Sequence, residues 1–232
     1  MTKKTIGIIG GMGPAATADL FMKITNVTKA DCDQEHLRVI IDSNTAIPDR
    51  TAALVYGGES PIEQMRLSAR TLETAGAQLL VMPCNTAHGF YDEVCSAVSI
   101  PVLHMIRICA GALGQRGIKR AGLLATDGTV RSGIYSDCFR GSGIELITPS
   151  PEHQAAVMDL TYNGVKAGRR SYDTRSFELA VRELMDSGAE TLILGCTELP
   201  PAFEMYHLDY HFIDPTLELA KAAVLAAGGE LR

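Results

Sequence analysis

Two cysteines hold the residue types and spacing that could do chemistry. Cys84 ends the apolar run of LLVMPCNTAHG and is followed by Asn85, Thr86, Ala87 and His88, while Cys196 ends TLILGCTELPP and is followed by Thr197 and Glu198. Both sit where a strand gives way to small polar residues. In an open parallel sheet the binding crevice lies outside the carboxyl ends of the strands, and a neighbouring helix N-terminus can lower a thiol pKa. Inverting a carbon stereocentre by deprotonation needs a base on one face and an acid on the other, with interchangeable roles. Two equivalent thiols satisfy this, because a free thiol with a pKa of about 8.5 changes protonation state readily near neutral pH. A nucleophilic Cys-His hydrolase would instead need one thiol, one imidazole and an oxyanion hole. His88, four residues after Cys84, is the imidazole to weigh; it could equally point back along the chain or cap neighbouring groups. His104, in PVLHM, reads as a core histidine.

The elements that must position these thiols follow an α/β pattern. Short Val/Ile/Leu-rich runs alternate with segments of helical periodicity, as in a mostly parallel sheet covered on both faces. Strands are predicted over 5–10, 38–42, 78–83, 101–105, 120–125, 144–149, 191–195 and 211–214. A helix is predicted between Ser60 and Gly76, with Ser60 as cap, Pro61 in the first turn, Glu63 completing a capping box and Gly76 ending it. ETAGAQLLVMPC and MDSGAETLILGC match in their helix-ending Gly-Ala and terminal cysteine, and TIGIIGGMGP pairs with RAGLLATDGT. The chain therefore reads as two related α/β halves. Cys32, Cys95, Cys109 and Cys138 lack the strand-end context. With no CxxC pair and no close Cys/His grouping, the six cysteines suggest neither a disulfide framework nor a zinc site.

Other motifs supply binding candidates. Gly11-Met12-Gly13-Pro14-Ala15-Ala16 fits the G-x-G-x-x-A form of a dinucleotide fingerprint. However, Pro14 removes an amide donor where a pyrophosphate would want one, and Asp42 is late. The alternatives are a tight βα turn, or amides that hold a small carboxylate at a helix start. Arg50 lies in the Pro-containing stretch SNTAIPDRT, where its fork could grip a carboxylate. Lys166, in the loop-like TYNGVKAGRR, could add a second cation or form a surface ion pair. The net charge of −6 and the scattered basic residues exclude a nucleic-acid partner of the usual kind. No run approaches the roughly 18 apolar residues of a membrane span. The apolar start after Lys3 and Lys4 breaks at glycines, so the expectation is a cytoplasmic protein that begins with a strand.

Jointly, GIIGGMGP at 7–14, SNTAIPDRT at 43–51, MPCNTAH at 82–88, Lys166 in YNGVKAG and GCTELP at 195–200 resemble the aspartate/glutamate racemase family in its cofactor-independent aspartate racemase branch. The likeness runs over nearly the whole chain. It implies two pseudo-symmetric parallel-sheet α/β domains, 1–103 completed by 209–232 and 104–208, with the active site in the cleft between them. It also implies a homodimer and an acid/base pair of Cys84 and Cys196 that needs neither pyridoxal phosphate nor metal. Arg50 and Lys166 would hold the substrate side-chain carboxylate, and Asn85, Thr86, Thr197 and nearby backbone amides the amino-acid head. Met12, Asp49, Thr51 and Ala87 complete the implied binding set. Some relatives of different specificity carry threonine in place of the first cysteine; this chain has Cys84. The alternatives are a racemase of broader or different specificity, or a dicarboxylate-binding protein without turnover.

Overall fold

The run Ile6–Gly10 (β1) is buried at every position, as an unbroken apolar strand covered on both faces must be. It lies between Val39–Ser43 (β2) and Leu79–Val81 (β3), all parallel, in the order β2-β1-β3. The computed structural model describes residues 3–232. Helices Pro14–Val27 (α1), Arg50–Val55 (α2), Ile62–Thr74 (α3) and Tyr91–Cys95 (α4) accompany this sheet, and Met105–Gln115 (α5) follows it. Period-two alternation divides its core. Ile6, Ile8, Leu79 and Val81 pack in one apolar cluster, whereas Ile9, Leu80, Met82 and Cys84 pack in another.

A second parallel sheet has the order β5-β4-β6-β7, from Arg120–Leu124 (β4), Glu145–Ile147 (β5), Thr191–Leu194 (β6) and Phe212–Ile213 (β7). Its helices are Asp127–Arg131 (α6), Ile134–Phe139 (α7), Pro151–Asp159 (α8), Arg175–Asp186 (α9) and Leu199–Met205 (α10). A wide π-type helical turn, Leu160–Lys166, extends α8. The last helix, Pro215–Ala226 (α11), sends Leu219, Ala220, Ala223 and Val224 into the cluster of Ile6 and Ile8.

The predicted repeat is realised in detail. Strands β2-β1-β3 and β5-β4-β6 share one order. The helices before β3 and β6 end on left-handed glycines, Gly76 at φ +99° and Gly188 at φ +92°. In both, the next alanine closes the cap: Ala77 N–H donates to Leu72 at 2.9 Å, and Ala189 N–H to Leu184 at 3.0 Å.

Several local expectations are corrected. PVLHM at 101–105 is not a full strand. Val102 makes only a single parallel bridge to Leu80, because Pro101 offers no N–H and Met105 already begins α5. The capping box at α3 does not form: Ser60 Oγ accepts from Ile62 N–H at 3.4 Å, and the Glu63 carboxylate turns to Arg66. Lys166 ends a helical turn, not a loop. The chain divides into residues up to Ile108 with Thr216–Arg232, and Cys109–Pro215, so the crossings fall later than 103 and 208. β7 accounts for the second shift, since it pairs with β6 and keeps the chain in the second unit. No helix among the described residues is long and apolar enough to cross a membrane.

Candidate active site

In the first unit the candidate residues gather at the carboxyl ends of β1, β2 and β3. The turn after β1 is built on Gly11, whose φ of +88° and closeness to Asn44 leave no room for a side chain: a Cβ there would lie 2.3 Å from the Asn44 backbone. Thr17 Oγ1 accepts from Gly11 N–H at 2.9 Å and donates to the Gly13 carbonyl at 2.9 Å. The Gly11 amide is thus spent on the tight βα turn and is not free for a phosphate. Met12 is buried in one cluster with Ile47, Cys84 and Ala87.

Arg50 fastens this turn to the loop after β2. Its Nη2 donates to the Met12 carbonyl at 3.0 Å, and Nη1 donates to Pro48 at 3.0 Å and Ile47 at 3.3 Å. Its Nε is buried with no hydrogen-bond partner, and among the described residues no carboxylate pairs with its charge. Asp49 caps α2 by accepting from Ala52 N–H at 2.6 Å, and Thr51, two residues on, is buried.

Cys84 lies three residues beyond β3 and is 7 % exposed; Asn85, Thr86, Ala87 and His88 after it are also buried. The segment Thr86–Phe90 is a tight 3-10 turn, not the start of a regular helix. It directs the His88 ring backwards, where Nδ1 meets the Cys84 carbonyl at 2.9 Å and Nε2 accepts from Met105 N–H at 3.1 Å. With both nitrogens committed to the backbone, His88 is not the imidazole of a Cys-His couple.

In the second unit Cys196 follows β6 and Gly195 and is 6 % exposed. Its Sγ donates to Glu198 Oε2 at 2.9 Å, and Thr197 Oγ1 donates to the same oxygen at 3.1 Å. Lys166 Nζ stands 3.9 Å from the other carboxylate oxygen and 4.4 Å from the centre of the Tyr162 ring. Burial raises the Cys196 pKa well above the ordinary thiol value, and the Glu198 charge adds to it while Lys166 opposes. Cys196 therefore rests as a thiol. Lys166 serves first as the counter-ion of Glu198, which sequence reasoning named only as a neighbour of the cysteine. The signal was its place two residues after the thiol, at the start of α10. Elsewhere in the second unit, Gln154 of α8 donates to the Ala125 carbonyl and Asp127 beyond β4, each at 2.9 Å. Sequence reasoning passed it over, as nothing in its own segment marks it.

Each unit thus presents a buried thiol at a strand end with polar side chains beside it in sequence, and in the second unit that thiol is bonded to a carboxylate. The model of the family described as Asp/Glu/Hydantoin racemase matches residues 9–223. The aspartate racemase of Picrophilus torridus is similar with a TM-score of 0.83 and 33 % identity, over 99 % of this chain and 96 % of that one. An aspartate racemase homologue from Pyrococcus horikoshii OT3 follows at a TM-score of 0.78 and 25 % identity, over 97 % of this chain and 99 % of that one. The broad specificity amino-acid racemase RacX of Bacillus subtilis (strain 168) is 26 % identical over 231 residues, covering 94 % of this chain and 96 % of its own. By the extent of that family match and the likeness along its full length, the chain belongs to the Asp/Glu/Hydantoin racemase family.

Proposed function

We propose that the protein interconverts the enantiomers of an acidic amino acid, aspartate foremost, by a two-base exchange between Cys84 and Cys196. One thiolate takes the α-proton, the electron pair left on the α-carbon is shared with the carboxylate, and the opposite thiol returns a proton to the other face. For the other enantiomer the roles reverse, so no net proton is gained or lost. The observation that carries this reading is the equivalent placement of the two thiols, each buried just beyond the matching strand of its sheet, β3 or β6. The Cys196–Glu198 hydrogen bond supports a resting state in which Cys196 holds the proton to be delivered. Arg50, a cation with no carboxylate partner among the described residues, supports an anionic substrate. Asn85, Thr86 and Thr197, with the backbone at Met12 and Ala87, hold the amino-acid head.

A racemase of broader specificity is the second reading. It is favoured by Lys166, whose charge faces Glu198 and the Tyr162 ring, leaving Arg50 as the cation for a side-chain carboxylate.

Incubation of L- or D-aspartate in deuterium oxide, with α-carbon exchange followed by NMR and enantiomers by chiral chromatography, tests the mechanism. Cys84→Ala and Cys196→Ala are each expected to lose racemisation by about 10²–10⁴-fold, and full activity in either refutes two-base exchange. A panel of L-amino acids separates the two readings: inversion confined to neutral and basic side chains rejects an acidic substrate, and inversion across the panel supports the second reading.

A further inference from the structure

Val102–Arg107 lies against Cys84–Tyr91 through groups that the proton exchange itself does not use. His88 is 5 % exposed, and its ring spans from the Cys84 carbonyl, 2.9 Å from Nδ1, to the Met105 amide, 3.1 Å from Nε2. Met105 is the first residue of α5. Since an amide N–H can only donate, Nε2 is the bare nitrogen and Nδ1 carries the hydrogen given to Cys84. A single neutral tautomer satisfies both bonds, and an imidazolium would lose the second. Burial, reinforced by His104, pushes the His88 pKa down to about 3, which keeps the ring in that form.

Further contacts hold the ring in place. His104 packs against His88 with centroids 4.8 Å apart and against Tyr91 at 4.4 Å. Tyr91 Oη donates to the Val102 carbonyl at 2.7 Å, and the Arg107 guanidinium carbon lies 5.6 Å from the Tyr91 ring centre. The ring therefore has little freedom to turn toward a substrate.

We propose that His88 is a positioning residue for Cys84, bridging the cysteine carbonyl to the first amide of α5 and so fixing the backbone from which the thiol projects. The ring transfers no proton itself. Its two nitrogens, separated by one carbon, serve as one donor and one acceptor, a pair that a glutamine amide also offers. This inference rests on Cys84 being one of the two bases of the racemase reading, and two of its three tests read the site without turnover.

First, ¹⁵N NMR of histidine-labelled protein at neutral pH is expected to show His88 as the neutral Nδ1–H tautomer; an Nε2–H tautomer or an imidazolium overturns the proposal. Second, iodoacetamide labelling of Cys84, resolved by peptide mass spectrometry, is expected to change rate in His88→Leu and to return toward wild type in His88→Gln. Third, His88→Leu is expected to lower kcat by about a hundredfold with a smaller change in KM, a loss that His88→Gln largely restores. Wild-type labelling and turnover in His88→Leu would overturn the proposal. So would a His88→Gln variant that labels normally yet has lost turnover, since the ring would then be moving protons. Should His88→Leu fail to fold, the tautomer and the His88→Gln variant still decide. A wild-type protein that racemises nothing refutes the racemase reading, while the NMR and labelling results still test the bridge.

Discussion

Cys196 keeps its proton against the Glu198 carboxylate, while Cys84 has its backbone carbonyl tied to His88, and this difference separates two thiols that occupy matching places in the chain. A carboxylate 2.9 Å from a sulfur repels a thiolate and accepts the hydrogen of a thiol, so both effects raise the pKa beyond what burial alone does. The sign of the consequence is fixed. Glu198→Gln removes the charge, and the pH at which Cys196 becomes reactive to iodoacetamide is expected to fall by about one unit or more. An unchanged or higher midpoint in the labelling profile would show that Glu198 does not set the protonation of this thiol. Arg50 is the converse case, a charge held by three backbone carbonyls that orient it without neutralising it.

At the scale of elements, the loops beyond the strands are fixed by close contacts and caps. The turn from β1 to α1 approaches β2 so closely that Gly11 meets the Asn44 backbone, and its φ of +88° independently disfavours a side chain. Gly11→Ala combines overlap with backbone strain and is expected to lower stability by at least about 2 kcal/mol, read as an earlier midpoint in urea unfolding. A wild-type midpoint would mean that the turn relaxes freely. Because Arg50 binds the Met12 carbonyl one residue on, the same substitution disturbs the placement of the guanidinium. The paired caps at Gly76 and Gly188 perform the corresponding task before β3 and β6, setting the strands whose ends carry the thiols.

For the whole molecule, the chain leaves its first unit within α5 and returns to it at α11. The return is part of the core: Leu219, Ala220, Ala223 and Val224 pack with Ile6, Ile8, Leu20 and Ile24, and Lys4 N–H donates to the Ala227 carbonyl at 2.8 Å. A chain ended at Asp214 is expected to lose at least about 3 kcal/mol, since burial of a single Leu or Val contributes about 1.5–3 kcal/mol. Its far-ultraviolet circular dichroism and urea midpoint would report the loss, and native-like unfolding would show α11 to be dispensable.

Much of this was legible in the linear sequence. Unbroken apolar runs identified β1, β4 and β6, because central parallel strands have no solvent face and hence no alternation. Gly-Ala before each cysteine-ending run identified the repeat, because a glycine there marks a helix closed by a left-handed residue in both halves. Those patterns, with the two strand-end thiols, were sufficient for the α/β class, the two halves and the family resemblance. Tertiary structure decided what depends on partners distant in sequence or on the direction of a side chain. Met105, seventeen positions from His88, fixes the ring as a bridge; Met12, thirty-eight positions from Arg50, occupies one arm of its fork. Lys166 was visible as a cation, but only the folded chain brings Glu198 to it. Residue types and local periodicity are carried by the sequence itself, whereas the protonation of a thiol and the occupation of a hydrogen-bonding group are set by neighbours that only folding assembles.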